Sequence, residues 1–383
     1  MVSRGRLVPV AIVVAVLVAG LAGFLVGTQG VRTVTLTETI TLRETVAALP
    51  STVTVRELTE IVRTVTAEAP RKFIDALGRE VEITSRPTRV VSLMPSITEI
   101  LFALGLGGYV VGVTTYCNYP PEVVELVNQG RIATVGGPWT VDLEKVVALK
   151  PDLVLAMVSP HARLKEKFEE LGLRVFFLGN AKDVNDVIAS IKLVAAIFNV
   201  VDAAEPVVKA IEESVARVRS ALATAGGPRV LYLIGPPSWG LYSAGGDTFI
   251  GWLIEAAGGS NIAKIYSSWP KLSREFIASQ DPEVVIISSM EANAEAIYED
   301  IVANFPELLD STAWRTSRVY LITGEADDMV ARPGPRIGKA LELLAQLIHP
   351  EIFGEPTRAD VVNLVKAVGG LASASVSVDL VAT

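Results

Sequence analysis

Apolar and polar positions follow two patterns that alternate along most of the chain. Apolar runs typical of buried strands lie at residues 89–93, 109–114, 152–157, 174–178, 228–234, 283–288 and 318–322. Elsewhere apolar residues recur every three or four positions, which predicts helices at residues 95–104, 248–257, 273–279 and 335–347. Strands that alternate with helices predict an α/β fold with mainly parallel sheets.

One helical stretch is much longer than the others. It runs from Val184 to about Ala225 and contains few residues that break helices. We expect Asn199 and Pro206 to bend or interrupt it. Because it separates two groups of predicted strands, it predicts one long rigid helix between two Rossmann-like lobes.

Two segments of the chain match each other, one in each predicted lobe. The two segments are residues 139–155 and 269–286. Each has a loop tryptophan, a helix with a glutamate in its first turn (Glu144 or Glu275), a proline turn and an apolar strand. The match predicts that Trp139 and Trp269 lie on one rim and face a ligand in the cleft. Alternatively, each indole packs inside its own lobe, the more common environment of a lone tryptophan.

Polar and aromatic residues near the start of the folded body have expected roles. Ser96 is predicted to cap the helix at residues 95–104, with Glu99 three residues later as its capping-box partner. Tyr116 and Tyr119 lie in a proline-stiffened loop after a predicted strand. We expect one of these tyrosines to line the ligand site and the other to pack.

The N-terminal end is the most apolar part of the chain. Residues 7–26 are uncharged, and as a helix they would span about 30 Å, the thickness of a bilayer core. Arg4 and Arg6 precede them and are expected to stay in the cytoplasm, with the rest of the chain outside. The alternative is a cleaved signal peptide, whose apolar region is usually about 7–15 residues long. We predict an uncleaved single-pass anchor in the cell membrane.

The rest of the chain divides by composition. The Thr-rich residues after the anchor predict an extended or partly helical stalk, with an amphipathic helix at residues 53–67 as the alternative. A hairpin at residues 75–83, with its turn at Gly78, begins the folded body. The predicted divisions are the anchor (1–27), the stalk (28–70), the N-terminal lobe (71–183), the connecting helix (184–226), the C-terminal lobe (227–354) and a tail (355–383).

Charge and reactive residues narrow the range of functions. A formal net charge of −8 argues against nucleic acid as a partner, because phosphate binding requires basic surfaces. Cys117 is the single cysteine, so the chain has neither an internal disulfide nor a lipoprotein attachment site, which favours a prokaryotic source such as an archaeon. His161 and His349 are expected to cap helices, with metal ligation in haem or a corrinoid as the alternative for His161. The sequence contains no cluster of acid and base residues that would predict an enzyme, and we expect no cofactor and no protein-held metal.

Five motifs occur in a consistent order over roughly residues 73–353. They are RVVSLMPSITEILFALGLG (89–107), VGVTTYCNYPP (111–121), DLEKVVALKPDLVL (142–155), WPKLSRE (269–275) and RPGPRI (332–337). Together they resemble the substrate-binding proteins of ABC importers for cobalamin, haem and iron siderophores. The WPKLSRE segment is most similar to the vitamin B12-binding members of that family.

The resemblance implies a fold of two α/β lobes on a rigid helix, and a function. The protein would capture cobalamin or a related corrinoid outside the cell and deliver it to an ABC permease and its ATPase. Haem and ferric siderophores are the alternative ligands. A receptor ectodomain is a rival from another class, although residues 1–6 leave no room for a cytoplasmic signalling domain.

The resemblance also assigns roles to particular residues. Asp328, Met329 and Arg332 are implied to bind the ligand, alongside the tryptophans and tyrosines of the predicted cleft. For Arg332, an internal ion pair is the alternative. Glu144 and Glu275 are implied to dock on arginines of the permease, although a first-turn glutamate also stabilises its own helix.

Overall fold

The structure is a computed structural model that describes residues 33–40, 61–68, 70–223, 225–290 and 293–369. The described residues form two compact units. The smaller unit contains an antiparallel pair, β1 (Thr33–Ile40) and β2 (Ile61–Glu68). Strand β2 overlaps the helix considered for residues 53–67, so that alternative is wrong from Ile61 onward. Alternating threonines and valines favour a strand because β-branched side chains suit extended backbone.

The predicted membrane anchor at residues 1–27 lies outside the described residues. Within the part of the chain that the structure describes, no helix combines the length and the apolar character needed to cross a bilayer. The anchor therefore stays a prediction. The predicted hairpin at residues 75–83 is present as β3 (Arg71–Ile74) and β4 (Glu80–Ile83), and Gly78 has a φ of 76° in its turn.

The larger unit contains both lobes. The strands of the N-terminal lobe are β5 (Val90–Ser92), β6 (Val110–Val113), β7 (Ala133–Thr134), β8 (Leu153–Met157) and β9 (Val175–Leu178). Its helices are α1 (Pro95–Ala103), α2 (Pro121–Asn128), α3 (Leu143–Ala148), α4 (Val158–His161) and α5 (Lys165–Glu170). The strands form a parallel sheet in the order β7–β6–β5–β8–β9. The long helical stretch that follows is divided into α6 (Val184–Ile197) and α7 (Val201–Ala221).

The C-terminal lobe repeats this arrangement. Its strands are β10 (Arg229–Ile234), β11 (Ser260–Asn261), β12 (Val284–Ser288), β13 (Val319–Ile322) and β14 (Val361–Asn363). Its helices are α8 (Phe249–Ala256), α9 (Arg274–Gln280), α10 (Ala294–Asn304), α11 (Thr312–Arg315), α12 (Gly324–Ala331), α13 (Ile337–Ile348) and α14 (Pro350–Phe353). The sheet order is β11–β10–β12–β13–β14, with only β14 antiparallel to its neighbour. The lobe therefore continues past the boundary expected at residue 354 and includes part of the predicted tail.

The apolar runs form the two cores. Val91, Val154 and Phe177 lie in the N-terminal core, and Leu231 and Val285 lie in the C-terminal core, all fully buried. Strands such as β8 and β12 are buried along their whole length because helices cover both faces of a parallel sheet.

Helix α7 connects the lobes. The stretch breaks at Asn199, which has a left-handed φ of 55°, and continues through Pro206. Its 21 residues correspond to about 31 Å. It packs against both α6 and α13. At the α13 crossing a Cβ atom on Gly338 would lie 2.9 Å from the Ser214 side chain, so glycine allows the two helices to approach closely. The single connecting helix expected from the sequence is thus two helices, of which α7 is the strut.

Candidate functional site

The matched segments of the two lobes have the same local structure. Asp142 caps α3 and Ser273 caps α9, and each side chain accepts a hydrogen bond from the backbone N–H three residues later at 3.1 Å. Glu144 and Glu275 are each the second residue of their helix, and both are exposed. Their helices lead into β8 and β12, which have equivalent positions beside β5 and β10. The duplication predicted from the sequence is therefore a duplication in the fold.

Both matched tryptophans lie at the surface. Trp139 is 60 % exposed and Trp269 is 43 % exposed, so the alternative that they pack inside their own lobes does not hold. The ring of Trp269 contacts Phe249 edge-on, with centroids 6.4 Å apart.

Hydrogen bonds from two side chains hold the loop that carries Trp139 in place. His161 is buried, and its Nδ1 accepts a hydrogen bond from the Met157 N–H at 3.2 Å. Its Nε2 then carries the proton and donates to the Pro138 carbonyl at 2.8 Å, while burial lowers the pKa of the ring and keeps it neutral. Arg163 donates to the carbonyl of Trp139 itself. His161 is thus neither a surface cap nor a free metal ligand, because both of its nitrogens hold the backbone.

A cavity of about 160 Å³ lies between the two lobes. Its N-terminal wall consists of Met94, Pro95, Ser96, Tyr116, Pro138 and Trp139. Its C-terminal wall consists of Met290, Asp327, Asp328, Ala331, Arg332 and Pro333. A larger hollow of about 560 Å³ is an open groove between α6 and α7 and involves no residue of the C-terminal lobe. We place the candidate site in the cavity between the lobes because it combines aromatic and charged side chains from both.

The other expected site residues are divided between this cavity and its surroundings. Tyr116 lines the cavity and is 46 % exposed. Tyr119 packs beneath the guanidinium of Arg336, 3.9 Å from its ring centroid. Met329 is buried and faces a separate hollow beside α7, and neither Met329 nor Trp269 lines the cavity between the lobes.

Arg332 is held by both lobes. It pairs with Asp328 one turn earlier and donates to the Asn118 side-chain oxygen at 2.7 Å and to the Tyr116 carbonyl at 3.0 Å. Asn118 in turn donates to the second oxygen of Asp328 at 2.7 Å. The guanidinium is only 9 % exposed. The internal ion pair considered for Arg332 is therefore present, and it joins the C-terminal lobe to the Tyr116 loop.

A second buried ion pair lies directly behind the first. Glu99 of α1 accepts two hydrogen bonds from Arg336, at 2.8 and 2.7 Å, and lies 3.4 Å from Arg332. The capping box expected for α1 is wrong: the helix begins after Met94, and no side chain caps it. The Glu99 carboxylate instead crosses to the other lobe, where a bidentate contact with a guanidinium is stronger than one with a neutral backbone N–H.

Asp327 is the third acidic residue at this place and has a different environment. It is 5 % exposed, lines the cavity and accepts a hydrogen bond from the Ser288 hydroxyl at the end of β12. Within the described ranges it forms no ion pair with a cationic side chain. Burial, opposed by that hydrogen bond and increased by the neighbouring Asp328, raises the pKa of Asp327 to about 6.

Sequence reasoning missed the partners that hold the site together. Glu99 and Arg336 both occur in the motifs noted above, but nothing local indicates that they meet across the lobes. Asn118 and Asp327 had no signal beyond their position next to predicted site residues. Within the described part of the chain, no cluster of three or more His, Cys, Asp or Glu side chains is placed to hold a metal ion.

Comparison with known proteins gives a consistent result. A family model described as periplasmic binding protein matches residues 90–326. A cobalamin-binding protein of Halobacterium salinarum is 31 % identical over 280 residues, which cover 72 % of this chain and 73 % of that protein. The uncharacterized ABC transporter substrate-binding lipoprotein YvrC of Bacillus subtilis is 29 % identical over 291 residues, which cover 75 % of this chain and 88 % of YvrC.

A solved structure shares the fold. The periplasmic heme binding protein of Pseudomonas aeruginosa superimposes with a TM-score of 0.60 at 26 % identity, over 70 % of this chain and 94 % of that one. The family model spans more than half of this chain, and a relative above 30 % identity covers a similar range. The two lobes on one strut and the match over residues 90–326 show that this chain belongs to the periplasmic binding protein family.

Proposed function

We propose that this chain is the extracytoplasmic substrate-binding component of an ABC importer, and that it captures cobalamin or a related corrinoid. The observation that carries the proposal is the cavity between the lobes, where Trp139 and Tyr116 present exposed rings opposite a wall that includes Asp327, Asp328 and Arg332. Aromatic faces can cover a flat macrocycle with little loss of conformational entropy, and a few polar groups fix its orientation.

The size of the cavity limits how such a ligand binds. About 160 Å³ is below the roughly 300–1,000 Å³ of pockets that enclose drug-sized ligands. One edge group of the chelate therefore enters the cavity, while the macrocycle lies against the exposed rings of Trp139 and Tyr116. Small changes in lobe spacing adjust the fit, because the ion pairs of Arg332 and Arg336 oppose wide opening.

The relatives support the class and the ligand to different degrees. The name of the Bacillus relative supports the importer role, and that of the Halobacterium relative supports a corrinoid. Haem and ferric siderophores are the second candidates. The haem-binding Pseudomonas structure favours haem, as does the Tyr116 phenol at the cavity, because tyrosine can ligate haem iron.

Calorimetric titration of the purified full chain with cyanocobalamin, haemin and a ferric siderophore tests the proposal. We expect cyanocobalamin to bind with a Kd of about 1 μM or lower, and more tightly than the other two. Tighter binding of haemin with a shifted absorbance spectrum would favour the second candidate. Binding of none of the three would contradict the proposed function.

The proposal includes two further assignments. Glu144 and Glu275 dock on the permease, one from each lobe, because both are exposed at the same position of equivalent helices.

Residues 7–26 anchor the chain in the membrane. Fractionation tests the anchor: we expect the full chain to stay in the membrane pellet at alkaline pH, and residues 28–383 to be released.

Substitution of Trp139 by alanine is expected to raise the Kd for cyanocobalamin about tenfold or more, as for an aromatic anchor of an interface. The reason is that Trp139 is the largest exposed aromatic side chain of the cavity wall. The measurement is calorimetric titration of the wild type and the variant under the same conditions.

Trp239 provides a matched control. It is 70 % exposed and does not line the cavity, so its replacement by alanine should leave the Kd unchanged. The equivalent change at Trp269 should weaken binding by more than about 1 kcal/mol if the macrocycle extends to that ring. Equal effects at Trp139 and Trp239 would remove Trp139 from the site.

A further inference from the structure

The charges around the cavity are paired, with one exception. Arg332 lies between Asp328 and Glu99, and Arg336 is bound by Glu99 in a bidentate contact. Arg336 also lies 3.4 Å from the more exposed Glu325, so both guanidinium groups are paired with carboxylates. Asp327 has no such partner among the described residues, and its single side-chain hydrogen bond comes from the neutral hydroxyl of Ser288.

Asp327 is placed where a carboxylate without an ion-pair partner can affect ligand binding. The residue lines the cavity, yet is only 5 % exposed, so little solvent screens its charge. The wall around it is mainly apolar, with Met290 and Ala331 on the same side. A ligand group that enters the cavity therefore meets an acceptor that forms no ion pair with a described cation, although the charge of Arg332 acts on it from further away.

We infer that Asp327 determines which chelates the cavity accepts. It selects ligands that present N–H donors at their edge, such as primary carboxamides or ammonium groups, and rejects those that present carboxylates or catecholates. This inference rests on the proposed function, because it takes the cavity as the site of chelate binding. Asp327 lies next to Asp328, which the family resemblance indicated, but of the two only Asp328 forms an ion pair with Arg332.

Two physical effects operate in the same direction. A hydrogen bond from a ligand amide to a buried carboxylate is stronger than one between neutral groups. A ligand carboxylate in the same place would face Asp327, while the nearby Arg332 is already paired with Asp328 and Glu99. Like charges at short range in a poorly solvated site repel strongly. A corrin ring bears several carboxamides, whereas haem bears two propionates, so the cavity favours the corrinoid.

The pH dependence of binding follows from the surroundings of Asp327. The titratable and charged groups that face it are Asp328 and Arg332 on its own helix and the Tyr232 phenol on β10, whose pKa burial raises. The pKa of Asp327 is about 6 in the free protein. Because ligand N–H donors stabilise the ionised carboxylate, they lower this pKa in the complex. Affinity is then highest above pH 6 and falls as the pH drops through this value.

The experiment compares the full chain with Asp327→Asn and with Asp310→Asn, an exposed carboxyl of the same lobe. Dissociation constants for cyanocobalamin, haemin and a ferric tris-catecholate are measured by calorimetry between pH 5 and 7.5. We expect Asp327→Asn to weaken cyanocobalamin binding about tenfold. The variant should also show a smaller ratio of cyanocobalamin affinity to the affinities for the two anionic chelates, and a weaker dependence of cyanocobalamin affinity on pH. Asp310→Asn should match the wild type.

The outcomes separate this inference from the proposed function. If Asp327→Asn keeps the affinity, the ligand ratio and the pH profile, the inference is wrong while the proposed function stands. A wild type that prefers haemin or the tris-catecholate overturns the ligand class. A wild type that binds none of the three overturns both. The pH profile of the wild type tests the inference even if Asp327→Asn does not fold, because binding that is unchanged from pH 7.5 to pH 5 contradicts it.

Discussion

Replacement of Glu99 by alanine is expected to lower the free energy of unfolding by about 3–5 kcal/mol. Glu99 is 2 % exposed at the side chain and lies within reach of two arginines that are themselves 5 % and 9 % exposed. Without the carboxylate, Arg336 loses both of its short hydrogen bonds, and its charge stays buried. Urea unfolding followed by tryptophan fluorescence gives the change directly.

An exposed ion pair between α7 and α13 provides the control. Arg217 of α7 and Glu342 of α13 are 2.6 Å apart, but their side chains are 61 % and 40 % exposed. Replacement of Glu342 by alanine should change the free energy of unfolding by less than about 1 kcal/mol, because water screens this pair. Equal losses of unfolding free energy in the two variants would contradict the view that burial makes the Glu99 ion pair more important for stability than the exposed pair.

Charge reversal at both Glu144 and Glu275 is expected to reduce ligand uptake about a hundredfold while it leaves ligand affinity unchanged. Both side chains are exposed and neither lines the cavity, so we expect ligand affinity not to depend on them. Under the proposed docking role, the reversed charges would face arginines of the permease and turn attraction into repulsion, which costs several kcal/mol at an interface. Uptake of labelled cyanocobalamin by cells with the cognate permease and ATPase, together with calorimetry on the purified variant, measures both quantities.

The chain contains a matched pair for this test. Glu166 of α5 and Glu295 of α10 are also exposed glutamates in the second position of a helix, one in each lobe. Their double reversal changes net charge and helix-dipole interactions in the same way, so uptake should stay close to that of the wild type. If both double variants lose uptake equally, overall charge rather than docking is responsible. Normal uptake by the Glu144 and Glu275 variant would contradict the docking role.

The elements of the fold could be predicted from local patterns. The apolar runs that became β8 and β12, and the caps Asp142 and Ser273, each depend on a few neighbouring residues. The duplication was visible because both copies kept the same spacing. The sequence pattern does not indicate β14, because this strand is only Val361–Asn363 and is stabilised by pairing with β13 rather than by its own pattern.

The site was less predictable because its interactions join residues that are distant in sequence. Glu99 carried a local signal for a capping box, but its partner Arg336 is 237 positions away and forms a stronger contact. The position of His161 predicts a helix cap, but its ring is buried and hydrogen-bonded to the Pro138 carbonyl. The unpaired state of Asp327 becomes visible only when every neighbouring cation has been assigned to another carboxylate.

The packing of α7 has a consequence for how a loaded protein is emptied. The strut packs against both α6 and α13, and at the Gly338 crossing an added Cβ atom would meet the Ser214 side chain. Helices packed this closely resist a wide hinge motion between the lobes. Under the proposed function, we therefore expect unloading to depend on contact with the transporter.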